Sequence, residues 1–372
     1  MNLNANDLLV LHLNVNRTVG NETTNHSYFR ENSINVMDNI KKLIDNNLLI
    51  IEQNLENSLP KLKVPELKEL LRNSNLKVGG NKQELVNRLL DNEDLLDLNS
   101  ISLPSIYVAT SKGNELIEQT SYILHFHNDY TISLPRAHKL AVNNLNSTDK
   151  IETIYMLEIK YELEINHDNH RLAILFSSLA NYYLKNKNDK ENARMYFNLS
   201  YYSKIYSRSN ILASNFESND ELTHDVSYYI LDPDYLMENF YEQLIFVENT
   251  DVEILKNLFV SDIENFFDIN YTLADFLINY IVSKIKKDAQ NTEYYGLRIF
   301  DYFHDNELEH TEINYTHNDN DYIHQTYETN YENNKGTNEK LATKHNKEVK
   351  NTATGCLGFL LILITSVFIL IS

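Results

Sequence analysis

The segment from Leu59 to Leu90 constrains the fold more than any other part of the chain. It reads LPKLKVPELKELLRNSNLKVGGNKQELVNRLL, and its pattern is a helix, a turn and a second helix. Val64, Pro65 and Glu66 open the first helix, with proline in the first turn, where its missing N–H breaks no helical hydrogen bond. Leu67, Leu70 and Leu71 repeat at helical spacing, and Asn73 to Asn75 end the run. Leu76 and Val78 lead to Gly79 and Gly80, which supply a tight turn. Asn81 is placed to cap the second helix, with Glu84 three residues later as in a capping box. Leu85, Val86, Leu89 and Leu90 give that helix its apolar stripe. The segment holds seven basic residues (Lys61, Lys63, Lys68, Arg72, Lys77, Lys82, Arg88) and three Glu, a net +4.

These residues resemble the SAP domain, a short two-helix module known for binding DNA. The resemblance covers about residues 59–93 and rests on Leu62, Val64, Leu67, Leu70, Leu71, Leu76, Gly80, Lys82, Leu85, Val86 and Arg88. It implies DNA contact by the start of the second helix and the loop before it, here Lys77, Gly79, Gly80, Asn81 and Lys82. Lys61, Lys63 and Lys68 would add phosphate contacts, and Arg88 belongs to the same basic set. Asn81 departs from the family, where many members carry another small or basic residue, so a slightly weaker phosphate cradle is expected. The alternative for these lysines is a solvated face on a hairpin that is only structural.

The rest of the chain opposes DNA. Its 372 residues carry 33 Lys+Arg and 53 Asp+Glu, a formal net charge of −20, so the 340 residues outside the hairpin carry −24. Such a surface repels nucleic acid and anionic lipid. Three or four phosphate contacts give a log–log salt slope of only about −3 to −4. Weak, largely non-specific binding, dependent on tethering or multimerisation, is therefore expected. The hydrophobic fraction of 42 % is enough for a packed core, and the length fits two or three domains. Eight Gly and five Pro are too few for an all-β fold with many turns, so the chain is expected to be mainly α. One cysteine, Cys356, excludes an internal disulfide framework and a cysteine-rich zinc module.

The N-terminal residues have no basic region and only a short apolar run, Leu8 to Leu13, unlike a secretory signal. Residues 351–372 have no charge, and twelve of the fifteen from Leu357 to Ile371 are Leu, Ile, Val or Phe. These favour membrane insertion by roughly 4–7 kcal/mol. Five lysines at 335–350 mark the cytoplasmic flank. The expectation is a single-pass transmembrane tail anchor at 352–372, in contact with membrane lipid and with the N-terminus cytoplasmic. Cys356 would sit at the membrane boundary as a free thiol, with acylation as the alternative.

Around the hairpin, helices are expected at Asn6–Leu13 and Val36–Asn46, and strands at Leu48–Glu52 and Ile106–Ala109. A further helix is expected at Ser111–Gln119, capped by Thr110 or Ser111. Tyr107, Thr110, Gly113 and Leu116 resemble the end of a winged-helix unit, so a small α+β, winged-helix-like domain with the embedded hairpin is expected over 1–130. Residues 131–300 read as helices. Leu157, Ile159, Tyr161, Leu163 and Ile165 alternate like a strand, but Ile151–Ile165 is rich in good helix formers and is read as helix. His170–Leu184 and Glu191–Tyr206 form a helical hairpin, either TPR-like or part of a generic tyrosine-rich bundle, which could bind an unidentified protein partner. Further helices are expected at Tyr235–Val247, Val252–Phe267, Leu273–Ile285 and Tyr294–Phe303. Residues 301–350 read as a flexible linker, acidic and then basic, without Lys or Arg before 335 and with four spaced histidines (304, 310, 317, 324).

No catalytic signature is present: there is no P-loop and no Gly-x-Ser-x-Gly. His125 with His127 reads as alternation along a strand, and His167 with His170 as a cap or turn. Neither pair has zinc-ligand spacing. No enzyme activity, cofactor or metal is expected. Two roles follow for the chain, a membrane-tethered DNA-binding protein or a membrane-anchored protein-interaction scaffold.

Overall fold

The structure is a computed structural model that describes residues 3–24, 26–96, 102–214 and 230–305. It is mainly helical and divides into two compact units, Met1–Ile154 and Tyr155–Ser372. The membrane anchor expected at 352–372 and the linker beyond residue 305 lie outside the described residues. Among the described residues no helix is long and apolar enough to cross a membrane.

In the first unit, α1 (Ala5–Asn14), α2 (Ser27–Glu31) and α3 (Val36–Asp45) precede strand β1 (Leu49–Glu52). Next come α4 (Leu55–Ser58), α5 (Val64–Asn73) and α6 (Lys82–Leu90). Strand β2 (Ile106–Ala109) then returns antiparallel to β1, with Leu49 opposite Ala109 and Glu52 opposite Ile106. On the other edge of β2, Thr18 bridges to Ile106, and the Tyr107 N–H donates to the Arg17 carbonyl at 2.9 Å. The order is helix, extended segment, two helices, strand, helical insertion, strand. The short apolar run near the N-terminus is a core helix. Leu8, Leu9, Val10 and Leu11 of α1 are all buried, and so is Asp7, which pairs with Lys42 at 2.6 Å.

Helix α7 (Ser111–Gln119) starts on a Thr110 cap, whose hydroxyl accepts from the Gly113 N–H at 3.1 Å. Gly113 has to be glycine, because a Cβ there would stand 2.1 Å from the Leu48 carbonyl oxygen. Helices α8 (Tyr122–Asp129) and α9 (Leu134–Asn143) pack on α1 and complete the unit. His125 and His127 therefore lie on a helix rather than along a strand. Tyr122, Ile123, Phe126 and His127 are the buried positions, a 3.6-residue period that outweighs the local alternation.

The second unit is a stack of helices. α10 (Lys150–Tyr161), whose first five residues fall in the first unit, covers the ambiguous stretch as a helix, with Ile154, Tyr155, Glu158 and Ile159 buried at helical spacing. It is followed by α11 (Asn169–Tyr182), α12 (Lys190–Tyr206), α13 (Ser209–Ser214), α14 (Tyr235–Glu242), α15 (Val252–Glu264), α16 (Tyr271–Ile285) and α17 (Ala289–Asp305). Helix α17 takes in residues 301–305, where Phe303 is buried edge-on to Tyr206 at 5.8 Å between centroids.

One turn recurs in this unit. α10, α11 and α14 each end in a π-turn, at Glu162–Asn166, Tyr183–Lys187 and Gln243–Val247. A left-handed residue follows each, His167, Asn188 and Asn249, with φ of 54°, 53° and 53°. An aspartate then caps the next helix: Asp168, Asp189 and Asp251 accept from backbone N–H groups at 3.0, 3.0 and 2.7 Å. The second of these turns folds α11 and α12 back on one another. The core of the unit is aromatic, with Phe176 stacked on Tyr196 and Tyr202 stacked on Phe267.

Three helices of the second unit share a buried polar network. Arg194 of α12 donates twice to Asp262 of α15, at 3.0 and 3.3 Å. Asn198 donates to the same carboxylate at 2.8 Å and accepts from the Tyr241 hydroxyl of α14 at 2.6 Å. Burial pushes the Asp262 carboxyl upward, against the pull of Arg194.

Candidate nucleic-acid interface

The basic hairpin is built on its own small core. Leu67 and Leu71 of α5 and Leu85, Val86 and Leu89 of α6 are buried together with Leu59 and Leu96 from the flanks. Leu55 and Leu103 pack against the same cluster. Two helices of this length bury too little apolar surface to hold alone. The flanking leucines enlarge that core.

Both helices begin as the residue pattern dictates. At α5 the Glu66 carboxylate accepts from the Lys63 N–H at 2.5 Å, and Pro65 sits in the first turn. At α6 the Asn81 side chain accepts from the Glu84 N–H at 3.0 Å, and the Glu84 carboxylate accepts from the Asn81 N–H at 3.1 Å. This is a complete capping box. Helix α5 ends with Asn75 in the left-handed region, φ 58°. The Leu76 N–H returns to the Leu71 carbonyl at 2.7 Å and the Asn75 N–H to that of Arg72 at 3.0 Å. Those two bonds make a Schellman motif, which turns the chain sharply into the loop.

The loop from Leu76 to Asn81 is fixed from the far end of α6. The Arg88 guanidinium donates to the carbonyls of both Lys77 and Gly79, the latter at 3.0 Å. Arg88 is thus a positioning residue whose donors are turned inward. Gly80 has φ +129°, and a Cβ on it would stand 2.3 Å from the Glu84 carboxylate oxygen. Gly79 has open space apart from the Lys77 stem, 3.8 Å away. Gly80→Ala is therefore expected to disrupt the capping box and destabilise the hairpin by roughly 1–2 kcal/mol. Gly79→Ala should stay within about 0.5 kcal/mol. Hydrogen exchange of the α6 amides in the two variants checks this difference.

The remaining cations face solvent. Lys61, Lys63, Lys77 and Lys82 are exposed, as are Gly79, Gly80 and Asn81, while Lys68 is half-buried. Among the described residues none of these lysines makes an ion pair. The loop brings Lys77, Gly79, Gly80, Asn81 and Lys82 together at the start of α6. Lys61, Lys63 and Lys68 lie before and along α5. The backbone N–H groups of Lys82 and Gln83 in the first turn of α6 meet no acceptor among the described residues. A first turn with free N–H groups beside two ammonium groups suits a phosphate. Gln83 and the inward role of Arg88 were not visible in the sequence. The contact from Arg88 to Lys77 spans eleven positions and follows from the fold of the loop.

No curated protein and no solved structure matches the chain. Residues 58–94 match the family model of the SAP domain.

Proposed function

We propose that the chain binds duplex DNA weakly and with little sequence preference through the hairpin. Lys77, Lys82 and the free N–H groups at the start of α6 take the phosphates, with Lys61, Lys63 and Lys68 adding contacts. The observation that carries this reading is the loop itself: Arg88 holds the carbonyls of Lys77 and Gly79, while Lys77 and Lys82 stay exposed on a hairpin whose net +4 opposes the charge of the chain. A phosphate backbone rewards such a surface irrespective of base sequence.

The element order of the first unit supports the same site. Helix, extended segment, two helices and two strands is the order of a winged-helix unit, and the SAP hairpin stands between the two strands, in the place of the wing. The exposed positions of α3, the helix before the strands, are Met37, Asp38, Lys41 and Asp45. One cation and two carboxylates do not attract DNA, so contact concentrates at the hairpin.

We also propose that residues 352–372 tether the chain to a membrane. The support is their charge-free apolar run and the lysine flank before it. Tethering raises the local concentration of a weak binder. Fractionation of cells combined with DNA crosslinking of the full-length chain tests both parts. The expected outcome is crosslinked DNA on membrane-fraction protein, lost in Lys77→Glu/Lys82→Glu. Protein confined to the soluble fraction overturns the tether, and crosslinking unchanged by the double substitution overturns the site.

A further inference from the structure

The strongest unexplained feature lies away from the hairpin, where α2 meets α8. His26 precedes α2 and caps it: its Nδ1 accepts from the Tyr28 N–H at 3.3 Å. An accepting Nδ1 leaves the ring proton of neutral His26 on Nε2. That Nε2 faces Nε2 of His127 on α8 at 3.4 Å, so His26 donates and His127 accepts. The ring proton of His127 is then on Nδ1, which is buried and has no partner among the described residues. The rings of His26 and Tyr28 pack on His127, with centroids 4.7 and 5.4 Å away.

This arrangement has no room for another proton. Protonating His127 sets two N–H groups against each other across 3.4 Å and buries a cation at a site that is 3 % exposed. Protonating His26 sets its Nδ1–H against the Tyr28 N–H and removes the cap of α2. Either event favours separation of α2 from α8. We propose that the His26–His127 pair is a proton-operated latch, closed at neutral pH and released as the pH falls below the ordinary histidine range.

The surroundings agree. Burial, and then His26, hold His127 below its ordinary value. Of the titratable and charged groups on the packed elements, Tyr28, Arg30 and Glu31 on α2, Asp7 and His12 on α1, Asp129 and Tyr130 at the end of α8 and Arg136, His138 and Lys139 on α9, none supplies a carboxylate partner to His127. Asp129 and Asp149 act on His125 instead, and Lys150 acts on His138. A histidine held down in the folded state contributes stability that is complete above about 6.5 and is lost below it, tenfold in the opening constant per pH unit.

Hydrogen exchange on the full-length protein at pH 7.5 and 5.5, corrected for intrinsic rates, tests the latch. Peptides covering 26–31 and 122–129 should lose protection by more than twofold and up to about tenfold on acidification, the ceiling for one proton at one pH unit below the ordinary histidine value. His12, His125 and His138 are also held down by burial, so variants isolate the pair. His127→Phe keeps an aromatic ring beside Tyr28 and removes the titrating group. His26→Asn keeps a capping side chain and removes the other partner. Both should flatten the acid response of these two segments. A wild-type response below twofold, or an equal response in wild type and in whichever variant folds, overturns the proposal.

Discussion

Asp262→Ala is expected to destabilise the helical unit by about 3–5 kcal/mol, because it strands a charge inside the fold. The carboxylate accepts two bonds from Arg194 and one from Asn198, and Asn198 in turn accepts from Tyr241. Removing it leaves a guanidinium that is only 16 % exposed without a counter-charge and frees the Asn198 amide as an unmatched buried donor. It also removes the polar link between α12 and α15, and leaves α14 joined to α12 through Tyr241 and Asn198. Asp262→Asn should lose less. Burial raises the Asp262 carboxyl, so the folded state tolerates the uncharged form better than the unfolded chain does. The sign follows from that direction: acidification through the raised value adds stability at this site, and stability is lost as the pH rises through it. Chemical denaturation followed by tyrosine fluorescence and circular dichroism ranks the three proteins. A loss in Asp262→Ala below about 1 kcal/mol would contradict the buried-network account.

The second large effect is on DNA. Lys77→Glu/Lys82→Glu reverses the charge at the lysine in the loop before α6 and at the first residue of that helix. Each lost charge-assisted contact is worth about 0.5–1.5 kcal/mol at an exposed site, so affinity should fall roughly tenfold to 100-fold. The fold should survive, since both side chains are exposed and make no ion pair among the described residues. The loop shape is set by Arg88, Gly80 and the Asn81–Glu84 box, none of which the substitutions touch.

Local rules made the hairpin legible in the sequence. Pro65 in a first turn, Asn81 with Glu84, and leucines at helical spacing each fix a piece of backbone within a few residues, and the structure has each of them. Thr110 as the cap of α7 belongs to the same class. The His125–His127 alternation misled because a two-residue spacing carries no information about the next turn, and Tyr122, Ile123 and Phe126 decide the period. Arg88 was legible as a basic residue but not as the clamp on the loop. Its partners are backbone carbonyls of a turn whose shape exists only once α5 and α6 have packed. The same holds for the His26–His127 contact, which joins residues 101 positions apart.

Everything proposed for the DNA site rests on phosphate contacts made at the start of α6 rather than on the chain as a whole, whose charge is −20. The dependence of the observed binding constant on salt measures those contacts directly. For the full-length protein on a short duplex, the log–log slope should be about −3 to −4, and Lys77→Glu/Lys82→Glu should bring it to about −1 to −2 with the weaker affinity given above. Equal slopes and affinities for the two proteins, or no binding by the wild type at about 50 mM salt, would contradict the account.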